Sequence, residues 1–176
     1  FSVVATNRGG WTGNAAGVFT GTVDRMLVFL DQVVFPSDVL DRYQGALIAC
    51  SLRSISALYT GPVIRVRRSS DNTEQDFTPT EITDGTLLAF TGSNDGRVTT
   101  WYDQSLNGTP MIQSIATEQP WIVTAGVLEL ENGLPCVRYK GSQTMQASLS
   151  AGAQTTHMFS IQKVNPSGEP DTFHLY

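Results

Sequence analysis

The sequence predicts an all-β protein, an antiparallel β-sandwich with one or two short helices. Only 15% of its 176 residues are charged, against roughly 25% in an average soluble domain. The chain contains 16 glycines and 8 prolines, which favour frequent turns over long helices. Short apolar segments alternate with polar turn sequences over most of residues 61–163, and this spacing is typical of sandwiches and barrels.

The clearest strand lies within residues 61–70. There Ile64 and Val66 alternate with Arg65 and Arg67, so one face is apolar and the other is charged. The other predicted strands are Thr86–Phe90, Arg97–Tyr102, Trp121–Val123, Val127–Leu130, Cys136–Tyr139 and Met158–Lys163.

Three segments are predicted to be helical. Apolar residues recur near helical spacing over Ala46–Leu58. A shorter helix is expected near Val39–Tyr43, and another is expected to begin at a Thr22 or Asp24 cap and end at Leu30.

Residues 1–45 are rich in glycine and show little alternation. We expect them to form an N-terminal arm or linker, and residues 46–176 to form the sandwich. The alternating residues Phe173–Tyr176 resemble a strand cut short, so we expect the sandwich to be incomplete at its C-terminus.

Charge and cysteine usage narrow the functional classes. The net charge of −5 argues against a general nucleic-acid surface, and no apolar run is long enough for membrane insertion. Cys50 and Cys136 are interpreted as two free thiols, with a disulfide as the alternative. No cofactor or metal is expected, because His157 and His174 have no ligand-like spacing to the cysteines.

One acidic segment is a calcium candidate. Asp71, Asn72, Glu74 and Asp76 place several oxygen ligands within six residues. Their spacing matches no EF-hand loop, so we favour a solvated turn in which Asp and Asn bond their own backbone.

Four segments resemble a known family. They are "ALIACSLRSISALYTGPVIRVRRSSDNTEQDF", "GRVTTWYDQSLNG", "QPWIV" and "ENGLPCVRYKGS". In this order they resemble the concanavalin A-like lectin/glucanase (LamG-like) domains of phage virion and tail proteins and bacterial surface proteins. Those domains are distantly similar to the catalytic domain of B-type α-L-arabinofuranosidases. The resemblance covers about Leu40 to Leu149 and implies a jelly-roll sandwich.

The chain departs from the family at two points. Leu106 stands where the family usually has Gly in "YDQSGNG". A left-handed backbone at Leu106 would be strained, so we expect this loop to have moved. In the arabinofuranosidases the catalytic carboxylates lie further along than this chain reaches, so the resemblance implies a fold and gives no catalytic residue.

Five residues form the candidate ligand-binding set: Arg67, Arg68, Trp101, Tyr102 and Asp103. An aromatic ring of this set, or Trp121 or Tyr139, can stack on a sugar, although aromatic residues in strands are more often core. The arginines are expected to pair with Asp103 and pin the sandwich, because a guanidinium meets a carboxylate at two points. The alternative is that they line a groove for sugar hydroxyls or uronate groups.

Catalysis is not expected. Glycoside hydrolysis needs two convergent carboxylates, and the candidates Asp103, Glu129 and Glu131 have no spacing that shows convergence. The resemblance instead implies a non-enzymatic structural or binding module of a viral particle, such as a tail, fibre or capsid-decorating protein. The implied location is the virion or the extracellular space. The expected partners are other copies of this chain, other virion proteins or surface glycans. The alternatives are a carbohydrate-binding domain of a secreted or surface protein, or part of an arabinofuranosidase-like hydrolase.

Overall fold

The computed structural model describes residues 39–43 and 45–149, together with two strands nearer the N-terminus. The chain divides into two compact units, Phe1–Ser37 and Asp38–Tyr176. Within the described part of the chain, no helix is long and apolar enough to cross a membrane.

Several predictions fall outside the described residues. These are the strand at Met158–Lys163, the two histidines His157 and His174, and the alternating segment Phe173–Tyr176.

The first unit contains two paired strands, β1 (Ser2–Thr6) and β2 (Arg25–Phe29). They are antiparallel, with Ser2 opposite Phe29. The predicted helix ending at Leu30 is therefore wrong over β2. The segment contains Val and Phe, which favour strands, and pairing with β1 gives its backbone hydrogen-bond partners across the two strands.

The second unit is built on a six-stranded antiparallel sheet. Its strands are β3 (Ile64–Arg68), β4 (Glu74–Phe77), β5 (Gly96–Trp101), β6 (Met111–Ile112), β7 (Trp121–Thr124) and β8 (Val127–Leu128). The order is β4-β3-β5-β7-β8, and β6 pairs with the last two residues of β5. A separate two-stranded sheet joins β9 (Leu130–Glu131) to β10 (Leu134–Pro135).

The helices of the second unit are short. They are α1 (Val39–Arg42), α2 (Pro79–Thr83), α3 (Thr86–Thr91) and a 3₁₀ helix at Ala116–Glu118. The protein is thus rich in antiparallel strands with few short helices, as predicted. A jelly-roll sandwich of two packed sheets remains a prediction.

The strand predictions for β3, β5 and β7 are confirmed. In β3, Ile64 and Val66 are fully buried while Arg65 and Arg67 remain partly exposed. The predicted strand at 127–130 is present as the separate strands β8 and β9. At 136–139 only a single bridge forms, between Arg138 and Trp121.

The strand predicted at Thr86–Phe90 is wrong, because this segment is helix α3. The carboxylate of Asp84 accepts a hydrogen bond from the Thr86 N–H at 2.9 Å, and Gly85 and Gly92, with φ of 99° and 57°, bound the helix. A short apolar run does not by itself distinguish a strand from a buried helix.

Helix α2 was not predicted, although its start signal is present in the sequence. Thr78 and Glu81 form a capping box, in which each side chain bonds the backbone N–H of the other residue. Pro79 follows the cap, at a position where its missing N–H costs no helix hydrogen bond.

The helix predicted over Ala46–Leu58 is also wrong, because this segment has no regular secondary structure. Its serines bond nearby backbone groups instead. Ser51 Oγ accepts from the Arg53 N–H at 3.1 Å, and Ser56 Oγ accepts from the Leu58 N–H at 3.3 Å. Such local bonds offer the backbone an alternative to helix formation.

The core lies between the sheet and helices α2 and α3. Its buried apolar residues are Val63, Ile64, Val66, Phe77, Ile82, Leu87, Val98, Met111, Ile122, Val123 and Met145. Helix α3 approaches the sheet closely at Gly96. A Cβ there would lie 3.0 Å from the Thr91 methyl carbon and 3.1 Å from Val66 Cγ1.

Two glycines with nearly the same φ allow a test of the close approach between residues 92 and 126. Gly126 and Gly133 have φ of 78° and 77°. A Cβ on Gly126 would lie 2.6 Å from the Gly92 carbonyl oxygen, whereas one on Gly133 meets nothing within 4 Å. We expect G133A to cost about 1 kcal/mol from the left-handed backbone, and G126A to cost about 1–3 kcal/mol more from the clash.

Urea unfolding of the two variants measures this difference. Because the backbone penalty is common to both glycines, it cancels in the comparison. Equal losses in the two variants would contradict the close approach of residues 92 and 126.

Candidate functional site

The motif "WYDQS" forms a buried hydrogen-bond hub where β5 ends. Asp103 is 5% exposed, and its carboxylate accepts four hydrogen bonds. Oδ1 accepts from the N–H groups of Ala49 and Ser105, both at 2.8 Å. Oδ2 accepts from Ser105 Oγ at 2.7 Å and from the Thr109 N–H at 3.2 Å. The carboxylate thus ties the segment before β3 to the loop after β5.

Gln104 extends the hub along the same segment. It is 1% exposed, and its Oε1 accepts from the Ile55 N–H at 3.0 Å. Its Nε2 donates to the carbonyl oxygens of Ser51 and Arg53, both at 3.0 Å. All partners of Gln104 are backbone groups. Asp103 and Gln104 therefore stabilise the irregular path of residues 49–55.

Trp101 and Tyr139 are partly buried and pack against the core. The Trp101 Nε1 is buried, as is the hydroxyl of Tyr139, and neither has a hydrogen-bond partner among the described residues. Burial raises the pKa of Tyr139. Sugar stacking on either ring stays a prediction.

Tyr102 belongs to an ion-pair cluster across β3 and β4. Its hydroxyl donates to Asp76 Oδ1 at 2.8 Å, while Arg65 binds both oxygens of Asp76 at 2.7 and 2.9 Å. The Arg65 guanidinium lowers the pKa of Asp76. Burial and the hydrogen bond to Asp76 raise the pKa of Tyr102 to about 12.

The predicted pairing of Arg67 and Arg68 with Asp103 is wrong, because both oxygens of Asp103 accept from other donors. Instead, Arg65 forms the cross-strand pair with Asp76. Arg68 binds Asp71 through Nε at 3.0 Å and NH2 at 2.6 Å. It also donates to the Phe90 carbonyl at 2.7 Å and lies over the Phe90 ring. Its neighbours lie in the β3–β4 turn and helix α3.

Three of the four candidate calcium ligands, Asp71, Asn72 and Asp76, are bound by arginines of β3. The Arg68 guanidinium holds the pKa of Asp71 far below its usual range, and Arg67 binds the side-chain oxygen of Asn72 at 2.8 Å. Within residues 39–43 and 45–149, no three His, Cys, Asp or Glu side chains are grouped as a metal site.

Arg67 lies on the sheet in a group with Arg97, Gln119 and Trp121. Arg67 Nε donates to Gln119 Oε1 at 2.7 Å, and Arg97 NH1 donates to the Gln119 carbonyl at 3.2 Å. The Arg97 guanidinium lies 3.5 Å from the centre of the Trp121 ring. Asp95 is 3.6 Å from Arg97 and accepts from the Trp121 indole N–H at 3.4 Å.

The acidic candidates Glu129 and Glu131 belong to a neighbouring ion-pair network. Glu129 binds Arg138 at 3.0 Å and Lys140 at 2.9 Å, and Glu131 lies 3.9 Å from Arg138. Although burial opposes ionisation, hydrogen bonds from Thr124 and the two cations give Glu129 a lowered pKa. It is therefore ionised at neutral pH, and its oxygens are already paired.

A groove of about 430 Å³ opens beside the hub. Its rim carries three exposed apolar or aromatic side chains, Leu58 (75%), Tyr43 (68%) and Leu106 (57%). The carboxylate of Asp41 braces one wall, accepting from the Ala57 N–H at 2.9 Å and from the hydroxyl of Ser56 at 3.3 Å. The groove was not foreseen from the sequence.

Leu106 adopts a left-handed conformation, with φ of 69°, which glycine tolerates far better than leucine. That the loop has moved relative to the family stays a prediction. Ser105 is held by Asp103, and Asn107 donates to the carbonyls of Ala46 and Leu47 at 2.7 and 3.1 Å. These bonds on both sides impose the conformation, at a cost of about 1–2 kcal/mol.

Cys50 and Cys136 are free thiols, so the alternative disulfide is not formed in this structure. Cys50 donates to the Trp101 carbonyl at 3.6 Å. Burial and the charge of Asp103 raise its pKa to about 12, and burial raises the pKa of Cys136. Both thiols stay protonated at neutral pH, which makes them poor nucleophiles.

Comparison with known proteins identifies no relative: no family model, curated protein or solved structure matches the chain.

Replacing the hub carboxylate tests its structural role. D103N puts an amide NH₂ among N–H and O–H donors, which leaves buried groups unpaired. We expect a loss of about 3 kcal/mol in the free energy of unfolding. The matched control is D84N, since Asp84 is exposed and accepts from the Thr86 backbone N–H. Urea unfolding compares the two, and equal losses would contradict the hub.

The strain at Leu106 predicts a stabilising substitution. L106G removes the left-handed penalty and should raise the free energy of unfolding by about 1 kcal/mol. L106A removes the same exposed side chain but keeps a Cβ, so it should give no comparable gain. Chemical denaturation decides between them, and a loss of stability in L106G would count against a strained backbone.

Proposed function

We propose that this chain is a non-enzymatic structural and binding module of a viral particle, such as a tail, fibre or capsid-decorating protein, built on a lectin-like sandwich. The observation that carries the proposal is the exposed apolar rim of the groove, formed by Tyr43, Leu58 and Leu106. The resemblance to virion and bacterial surface domains supports the same assignment.

The rim has the character of an association surface. Large exposed apolar side chains grouped around a concave site are typical of protein or ligand contacts. Leu106 in particular is exposed while its backbone is strained, and such strain persists where the surrounding structure imposes it and function uses it. The partners we propose are other copies of this chain or other virion proteins.

Carbohydrate binding is the second candidate, and the size and lining of the groove favour it. A volume of about 430 Å³ falls within the ~300–1,000 Å³ range of small-molecule pockets. Tyr43 offers an exposed aromatic ring on a groove whose lining also includes Ser105. A glycan array decides this candidate, because binding should disappear in Y43A.

Self-association tests the first candidate. L58E places a charge on the groove rim, which should weaken association by about tenfold or more if each copy buries this side chain. The matched control is L134E, since Leu134 is 55% exposed on the separate β9–β10 hairpin. Analytical ultracentrifugation over a concentration series measures both variants.

Three outcomes separate the candidates. A native assembly that L58E dissociates and L134E does not supports the assembly module. A native chain that stays monomeric at high concentration contradicts self-assembly. If that monomer also binds glycans through Tyr43, the carbohydrate-binding candidate replaces the first.

A further inference from the structure

We infer that Arg67 and Arg97, set by Gln119 and Trp121, form a binding site for the carboxylate of an acidic saccharide, a uronate. The site shares no residue with the groove. Its test therefore does not depend on whether the groove is an assembly surface.

The two guanidinium groups are placed side by side on neighbouring strands. Arg67 in β3 lies directly opposite Arg97 in β5. Like charges in that position repel and destabilise a sheet. Asp95 is the only carboxylate of the described residues in an ion pair with either arginine, at 3.6 Å from Arg97. On its other side Arg67 lies opposite Glu74 of β4, with which it forms no ion pair among the described residues, so among carboxylates only Asp95 contacts either guanidinium group directly, in a chain whose net charge is −5.

Gln119 fixes both guanidinium groups with neutral acceptors. It is 3% exposed, and its amide orientation is set because Nε2 donates to the Gln113 carbonyl at 3.0 Å. Its Oε1 therefore faces Arg67, and its backbone carbonyl accepts from Arg97. Trp121 fixes the plane of Arg97 by stacking beneath it at 3.5 Å. The donors are thus oriented before any ligand arrives.

Donor capacity remains for a ligand. A guanidinium has five N–H groups, and the described acceptors of Arg67 are three neutral oxygens, on Gln119, Asn72 and Ala116. Arg97 makes one described hydrogen bond and one ion pair. Burial lowers the pKa of Arg97, and the charge of Arg67 acts in the same direction. A bound anion would offset both effects.

The surroundings favour a sugar carboxylate over a simple anion. A carboxylate meets a guanidinium at two points, while the Asn72 amide offers a neutral hydrogen-bonding group beside Arg67 for ring hydroxyls. The partly exposed indole of Trp121 already lies under Arg97 and Lys140, so it orients the donors and does not itself receive the sugar. Phosphate or sulfate would meet the two charges but has no ring hydroxyls for the Asn72 amide.

Calorimetric titration of the full chain tests the site with trigalacturonate as the ligand and neutral galactotriose as the control. Native protein should bind only the acidic sugar. R67Q and R97Q should each weaken binding by about tenfold or more, as expected for a lost charge-assisted hydrogen bond. The matched control is R68Q. Arg68 is the next residue in the sequence, but it binds Asp71 and Phe90. The affinity of R68Q for trigalacturonate should therefore stay within about twofold of that of the native protein.

A measurement on the native protein keeps the test valid if a variant fails to fold. Trigalacturonate should shift the NMR signals of Arg67 Nε, Arg97 Nε and the Trp121 indole N–H, and leave that of Arg68 unchanged. The inference is overturned by no binding, by equal binding of galactotriose, or by an affinity in R67Q equal to native. Displacement by equimolar inorganic phosphate would equally overturn the uronate assignment.

Discussion

The carboxylate of Asp103 accepts hydrogen bonds from Ala49, Ser105 and Thr109, and much of the second unit is arranged around it. With Gln104 it supplies the bonds that residues 49–55 would otherwise have made within a helix or sheet. Because buried backbone groups must be paired, an irregular segment of this kind can cover the protein only if side chains complete its hydrogen bonding. The groove and its rim exist because the hub holds their walls in place.

The two faces of the sheet carry different kinds of side chain. One face carries Ile64, Val66 and Val98 and is closed by helices α2 and α3. The other carries Arg65, Arg67 and Arg97, whose partners are side chains and carbonyls of neighbouring strands and loops. This division explains how a strand with three arginines in five residues is stable, since each guanidinium has its own acceptors.

Sequence patterns predicted the β-rich class and strands β3, β5 and β7, because alternation at Ile64 and Val66 follows from which face is buried. They failed for short apolar runs. The run at 86–90 becomes a helix because Asp84 and Gly85 start it. The run at 46–58 loses its helix because acceptors and donors from residues 103–107 replace helical bonds, and such long-range partners leave no local signal.

The candidate site was predicted in part. Arg67, Tyr102 and Asp103 were identified from the sequence, but their partners were not, since pairing depends on strand register. Arg65 and Asp76 face each other in the β3–β4 pair, while the Asp103 carboxylate accepts from backbone and serine donors. Gln119 lies in the segment "QPWIV" of the family resemblance. A Gln–Pro pair by itself indicates no binding or catalytic role. Tyr43 and Leu58 had no signal beyond their apolar character.

The hub also has a consequence for the order in which the chain folds. The bond from Ala49 to Asp103 spans 54 positions, and that from Ile55 to Gln104 spans 49. Contacts between residues so distant in sequence form slowly. Closing the intervening loop costs conformational entropy before the contact contributes any stabilisation. The hairpin of β3 and β4 lies inside that loop and needs a much shorter closure. We therefore expect residues 49–55 to dock after this hairpin has formed.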